Sequence, residues 1–168
     1  MEGVQLLCLI DKGLDACRYL QTSGEWYQSI WLAKVALDEK ESQDVLTRWS
    51  DFLSTGGNQK HKSVEVMLSL GQFAKVAESL YSLRYFDQAA MFVEACLEFN
   101  LIQNTPETVQ LIEAVFLEYA RYLESVGFMR GMRHYCGKAG EKGKQLLDQH
   151  LNSKQKRYNA DSVQPGTV

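Results

Sequence analysis

Proline is almost missing from this chain: Pro106 and Pro165 are the only two in 168 residues. No pyrrolidine ring therefore interrupts a helix over the first hundred positions, and an all-α fold is the natural expectation. Cysteine is sparse and scattered. Cys8, Cys17, Cys96 and Cys136 form no C-x-x-C pair and no pair-plus-His spacing of the kind zinc needs. Each falls in a helical apolar pattern and reads as a buried, reduced thiol, which favours a reducing compartment. There is no basic excess, since the net charge is −3 and the pI near 5.6, and this argues against gripping a nucleic-acid backbone. Long apolar runs are absent as well. The segment from Val4 to Ile10 is too short to cross a bilayer, lacks a basic leader and runs into Asp11, Lys12 and Asp15. No N-x-S/T sequon occurs, because Asn104 precedes Thr105 and Pro106, and Asn152 precedes Ser153 and Lys154. Secretion has no support.

Catalytic signatures are missing too. No motif pairs a nucleophile with a base, sets two carboxylates at a working spacing or gathers metal ligands. His61, His134 and His150 lack partners at ligand spacing. Gly137, Gly140 and Gly143 do not follow G-x-G-x-x-G and no strand precedes them, so they read as a bend or a close approach rather than a phosphate loop. No catalytic, cofactor or metal residue is expected, and the chain reads as a non-enzyme.

What the chain does contain is one short phrase used four times. An apolar residue is followed four positions on by Gly or Arg, then by a bulky anchor, then three further on by a small or apolar residue. The copies are Leu20, Gly24, Trp26, Ser29; Met67, Gly71, Phe73, Val76; Leu80, Arg84, Phe86, Ala89; and Leu123, Gly127, Met129, Met132. This is a helix–turn–helix corner written in sequence. Repetition of such corners predicts an all-α solenoid, TPR-like or coat-subunit-like, of about eight or nine antiparallel helices. The spacings of 47, 13 and 43 residues do not match a regular thirty-four-residue repeat.

The periodicity places a first helix over Gly3–Gln21, a second opening at Trp26, a third over Lys40–Ser54 capped by Asp38, and a fourth from Gln59 to Leu70 after Gly56 and Gly57. A fifth carries Phe73 to Leu80 and a sixth spans Tyr85–Phe99. Thr105, Pro106 and Glu107 open a seventh that runs to Val126 as the longest element. An eighth covers Phe128–Lys138, and a ninth holds Leu146, Leu147 and Leu151 after a break near Gly140. Residues 1–151 thus read as one solenoid domain and 152–168 as a disordered, solvated tail bearing Lys154, Lys156 and Arg157.

Four residues stand out as partner-binding candidates. On the second helix Trp26, Ile30, Ala33 and Leu37 share one face, while Tyr27 and Trp31 form an aromatic pair about a hundred degrees away, as interface anchors do. Lys60 and Lys62, with His61, sit at the start of the fourth helix, where the dipole disfavours positive charge; such a cluster suits an acidic partner.

The stretches Leu6–Lys12, Ala16–Thr22, Gly24–Trp26 and Trp31–Lys34, with Leu68–Gly71, Arg84–Asp87 and Phe92–Leu97, resemble the C-terminal helical region of the WD repeat-containing protein 11 family. The likeness spans Gly3 to Leu147. It implies that the chain is the last part of a longer protein, with WD-repeat β-propellers ahead of an α-solenoid. It also implies a role in a complex at the trans-Golgi network that tethers endosome-derived vesicles together with a protein of the family with sequence similarity 91, and links to the cilium and Hedgehog signalling. A homodimer is a further expectation, with membrane contact only indirect. The resemblance brings no catalytic residues and no short binding motif. The alternative reading is a TPR-like domain that docks a short peptide in its groove.

Overall fold

The computed structural model describes residues 2–56 and 59–161, with side chains through Ser153 and backbone alone from 154 to 161. Among the described residues it contains ten helices and no strand: α1 (Glu2–Leu9), α2 (Gly13–Thr22), α3 (Trp26–Ala36), α4 (Glu39–Thr55), α5 (Lys60–Ser69), α6 (Phe73–Ser82), α7 (Phe86–Glu98), α8 (Pro106–Ser125), α9 (Met129–Lys138) and α10 (Gly140–Asp161). The fold is an all-α helical repeat of the solenoid class.

The four corners read from sequence share one hydrogen-bonded geometry. Gly24, Gly71, Arg84 and Gly127 all sit at positive φ, between 61° and 85°. At the first, Gly24 N–H donates to the Gln21 carbonyl at 3.1 Å and Glu25 N–H to the Leu20 carbonyl at 2.9 Å, and the other three repeat the pattern. This is the Schellman ending, in which a left-handed residue lets two N–H groups satisfy carbonyls of the last helical turn. The initial apolar residue of the phrase is the one whose carbonyl receives the longer-range bond. Its last residue is the lock on the next helix: Ser29, Val76, Ala89 and Met132 are each 0 % exposed.

Two further corners escaped the sequence reading. Asp11 and Asn100 are left-handed with the same bond pair, Lys12 N–H to Leu7 O at 2.9 Å and Leu101 N–H to Cys96 O at 2.8 Å. The single helix expected over Gly3–Gln21 is therefore two, and the helices among the described residues number ten, against about eight or nine expected. Asp tolerates the left-handed region better than most residues, so the chain can turn at Asp11 without glycine. The phrase Leu7, Asp11, Gly13, Ala16 is hidden because glycine occupies the anchor place. A Cβ on Gly13 would lie 3.0 Å from Leu37 Cδ2, so the neighbouring chain occupies the room of an anchor. Left-handed residues thus bracket three ten-residue helices, α2, α6 and α9, at Asp11 and Gly24, Gly71 and Arg84, and Gly127 and Gly140.

Helix starts follow the expected caps. Asp38 accepts from Glu41 N–H at 2.8 Å, and Thr105 and Thr108 form a reciprocal capping box ahead of Pro106. Gly56 ends α4, while Gly57 lies outside the described residues. α8 has 20 residues but α10 has 22, so α8 is not the longest element. α10 continues beyond 152, where the sequence reading starts a disordered tail, as far as Asp161; residues 162–168 lie outside the described residues.

Packing gathers the chain into two compact units, Met1–Ser79 and Leu80–Val168. In the first, α2 packs on α3, α3 on α4 and α4 on α5. One cluster joins Cys17, Ala33 and Val45 with Leu14, Leu32 and Leu37; the next joins Trp49, Leu53 and Val66 with Trp26, Ile30, Leu46 and Leu70. Buried serines pin both helix pairs. Ser29 Oγ donates to the Cys17 carbonyl at 3.0 Å while Cys17 Sγ returns to the Ser29 carbonyl at 3.5 Å. Ser63 Oγ donates to the Ser50 carbonyl at 2.9 Å and lies 3.1 Å from Ser50 Oγ. Each such bond contributes about 1 kcal/mol net, but losing one partner strands a buried polar group.

In the second unit α8 packs against α7, α9 and α10, and α9 against α10. The core is Ala120, Leu123, Met132 and Cys136, flanked by Tyr119, Tyr135, Leu146 and Leu147. The three glycines read as a bend or a close approach divide the work. Gly140 (φ 62°) makes the bend, beside the Glu113 carboxylate, and Gly143 makes the approach, since a Cβ there would lie 2.0 Å from the Cys136 carbonyl oxygen. Gly137 does neither, having nothing within 4 Å.

Candidate functional site

α3 decides what the first unit shows to its surroundings. Its inner face is the expected one: Ala33 is buried, and Trp26, Ile30 and Leu37 pack on the two core clusters. Trp26 also stacks on Phe52 of α4, with ring centroids 4.3 Å apart. Its outer face carries Tyr27, Trp31 and Val35 at steps of four, 59 %, 72 % and 80 % exposed. Steps of four keep all three on one stripe of a helix whose other side is fixed by core contacts. Val35 was missed because a lone valine in an apolar helix gives no hint of outward orientation; its place four residues beyond Trp31 was the available signal.

Lys62 belongs to this surface. Its ammonium donates to the Tyr27 hydroxyl and lies 4.6 Å from the Tyr27 ring centroid and 5.5 Å from that of Trp49. Tyr27 and Trp49 meet edge to face at 5.9 Å. α3, α4 and α5 thus build one aromatic cluster around one cation. Lys60, half-buried at the first position of α5, makes none of these contacts.

Perturbed acids and thiols lie elsewhere. Burial pushes the thiols of Cys17, Cys96 and Cys136 up. Cys8 is exposed, against the expectation of four buried thiols, because α1 contributes no buried residue. On α7, Glu94 accepts from Lys138 Nζ at 2.5 Å and from the Tyr135 hydroxyl at 3.1 Å. Partial burial opposes its ionisation, yet these hydrogen bonds together hold the carboxyl below its ordinary value. Burial and Glu94 push Tyr135 up to about 12. This network fastens α9 to α7. Among the described residues no three His, Cys, Asp or Glu side chains gather as a metal site, and no helix is long and apolar enough to cross a membrane.

A family model described as the WDR11 TPR domain matches residues 1–118. The chain belongs to the WD repeat-containing protein 11 family. It is 56 % identical to WD repeat-containing protein 11 of Homo sapiens over 149 residues and 54 % identical to that of Mus musculus over 155, which is 88 % and 92 % of this chain. The Danio rerio protein is 54 % identical over 148 residues. The chain spans only 12 to 13 % of the length of these relatives. The matched span contains the whole α3–α5 surface, so the exposed stripe lies within a helical interaction module of the WD repeat-containing protein 11 family.

Proposed function

We propose that this module is a non-enzymatic scaffold through which a trans-Golgi tethering subunit engages its partners, and that α3 is the contact face. The observation that carries the reading is the Tyr27–Trp31–Val35 stripe. Large rigid side chains held on one face of a braced helix are what a protein interface uses as anchors, and α3 is braced by both core clusters beneath it. The partner suggested by the family likeness is a protein of the family with sequence similarity 91. Attachment to trans-Golgi membranes and vesicles is then indirect, through that partner, and any part in cilium formation or Hedgehog signalling follows from the same assembly. The Lys62 ammonium gives the stripe a positive end suited to an acidic rim on the partner.

Calorimetry with the purified partner tests this. Trp31→Ala is expected to weaken binding about thirtyfold or more, the effect of losing a central anchor, with an unchanged cooperative melt. Absence of binding by the native chain, or loss of the cooperative melt in the variant, overturns the reading. The TPR description of the matched family model favours a second reading, a groove for a short peptide. Uneven corner spacing speaks for the scaffold, because a regular groove needs regular repeats. Self-association through the same stripe would show as a concentration-dependent mass in light scattering that Trp31→Ala abolishes.

A further inference from the structure

We propose that the cleft at the α6–α7 corner binds a polypeptide segment that presents a single carboxylate on an apolar body, the free C-terminus of a partner peptide. The cleft, open to solvent on one side, has a volume of about 430 Å³ and is lined by Tyr81 and Ser82 of α6, Arg84 at the corner, Phe86 of α7 and Glu118 of α8. That volume falls in the range of small-ligand sites and holds the last two or three residues of a chain.

Arg84 is the telling residue. Its backbone is left-handed, with φ 61°, where three of the other corners use glycine and two use Asp11 and Asn100, residue types that tolerate this region better than arginine does. A long L side chain in that conformation costs about 1 kcal/mol or more, and neither an Asx-type local hydrogen bond nor a fold requirement calls for arginine there. Its side chain is exposed, and no carboxylate among the described residues pairs with the guanidinium. Glu118 does not neutralise it, because the Glu118 carboxylate is held by Arg121 at 2.6 Å. Tyr81 and Phe86, which line the same cleft, meet edge to face at 5.7 Å and give it an apolar wall.

The chemistry follows from these groups. A planar guanidinium takes a carboxylate by two parallel hydrogen bonds, the Tyr81 hydroxyl offers a further donor, and the two rings cover an apolar terminal side chain. With Glu118 already paired to Arg121, Arg84 is the one cation among the described lining residues left to meet a ligand, and a second anionic group would find no partner there. A polyacidic segment or a phosphate dianion therefore fits less well than one carboxylate. The cleft is separate from the α3 face, and the proposal stands or falls independently of it.

A nuclear magnetic resonance titration of the whole chain tests this with three N-acetylated tripeptides: Ala-Leu-Phe as the free acid, the same sequence as the C-terminal amide, and triglutamate. The free acid is expected to shift the backbone amides from Ser82 to Phe86 and that of Glu118 saturably, and the amide to bind at least about tenfold more weakly. Triglutamate is expected to bind no tighter than the free acid. Arg84→Gly, which installs the residue of three of the other corners and keeps the fold, is expected to erase the preference for acid over amide. Equal binding of acid and amide, tighter binding of triglutamate, a preference that survives Arg84→Gly, or no saturable shift up to about 10 mM peptide overturns the proposal.

Discussion

Gly143 offers the sharpest test of the packing between α9 and α10. A Cβ there would stand 2.0 Å from the Cys136 carbonyl oxygen and 2.9 Å from its carbon, whereas real Cβ contacts essentially never fall below 3.0 Å. The obstacle is helix backbone, which cannot swing aside as a side chain can. Gly143→Ala must therefore push α10 away from α9 by about 1 Å, loosening Leu146 and Leu147 from Met132 and Cys136. Overpacking of this kind costs about 1–3 kcal/mol, set against a gain of about 1 kcal/mol from replacing glycine in a helix. Gly137→Ala isolates that gain, because nothing lies within 4 Å of its added methyl. For a chain of this size each kcal/mol moves the melting temperature by about 2–4 °C. Circular dichroism melts should place Gly137→Ala a few degrees above the native chain and Gly143→Ala below it by up to about 8 °C. If the two variants melt together, the close approach of α10 to the Cys136 carbonyl is refuted.

Other outcomes follow from single contacts. Asp38→Ala removes the cap on the Glu41 N–H and should cost about 1 kcal/mol, read as a lower urea midpoint with an unchanged slope. Cys8 should react with a maleimide in the native chain while Cys17, Cys96 and Cys136 react only after denaturation; uniform labelling of all four would contradict their burial. Glu94, held below its ordinary value of 4.5, gives stability that is present above that value and lost as pH falls through the folded one, so melts should soften on acidification. Tyr135 works in the opposite direction: its hydroxyl is raised from 10.0 to about 12, so its contribution is full below pH 10 and lost as pH rises toward 12. Tyr135→Phe should flatten that alkaline loss, and an unchanged alkaline profile would show that the Glu94 bond plays no part.

The corners were readable from the chain alone because each is closed within about six residues: a left-handed residue, two N–H groups and two carbonyls of the turn before it. The same holds for the Asp38 and Thr105 caps, whose acceptors and donors lie three positions apart. Asp11 escaped because its anchor position holds glycine, and the reason for that glycine is Leu37, 24 residues away. Cys8 escaped for a related reason: periodicity marks an apolar face on α1, but only packing tells whether anything covers it. Tyr27 and Trp31 were visible as a second aromatic face, yet whether that face was core or surface depended on where α4 and α5 lie. Lys62, read as a misplaced helix-start charge, settles over Tyr27 and Trp49 because those helices converge there. Local hydrogen bonding thus made the helices and their turns legible in one dimension. Coverage, close approach and the placement of charge on aromatic rings are contacts between distant segments, and those only the tertiary structure decided.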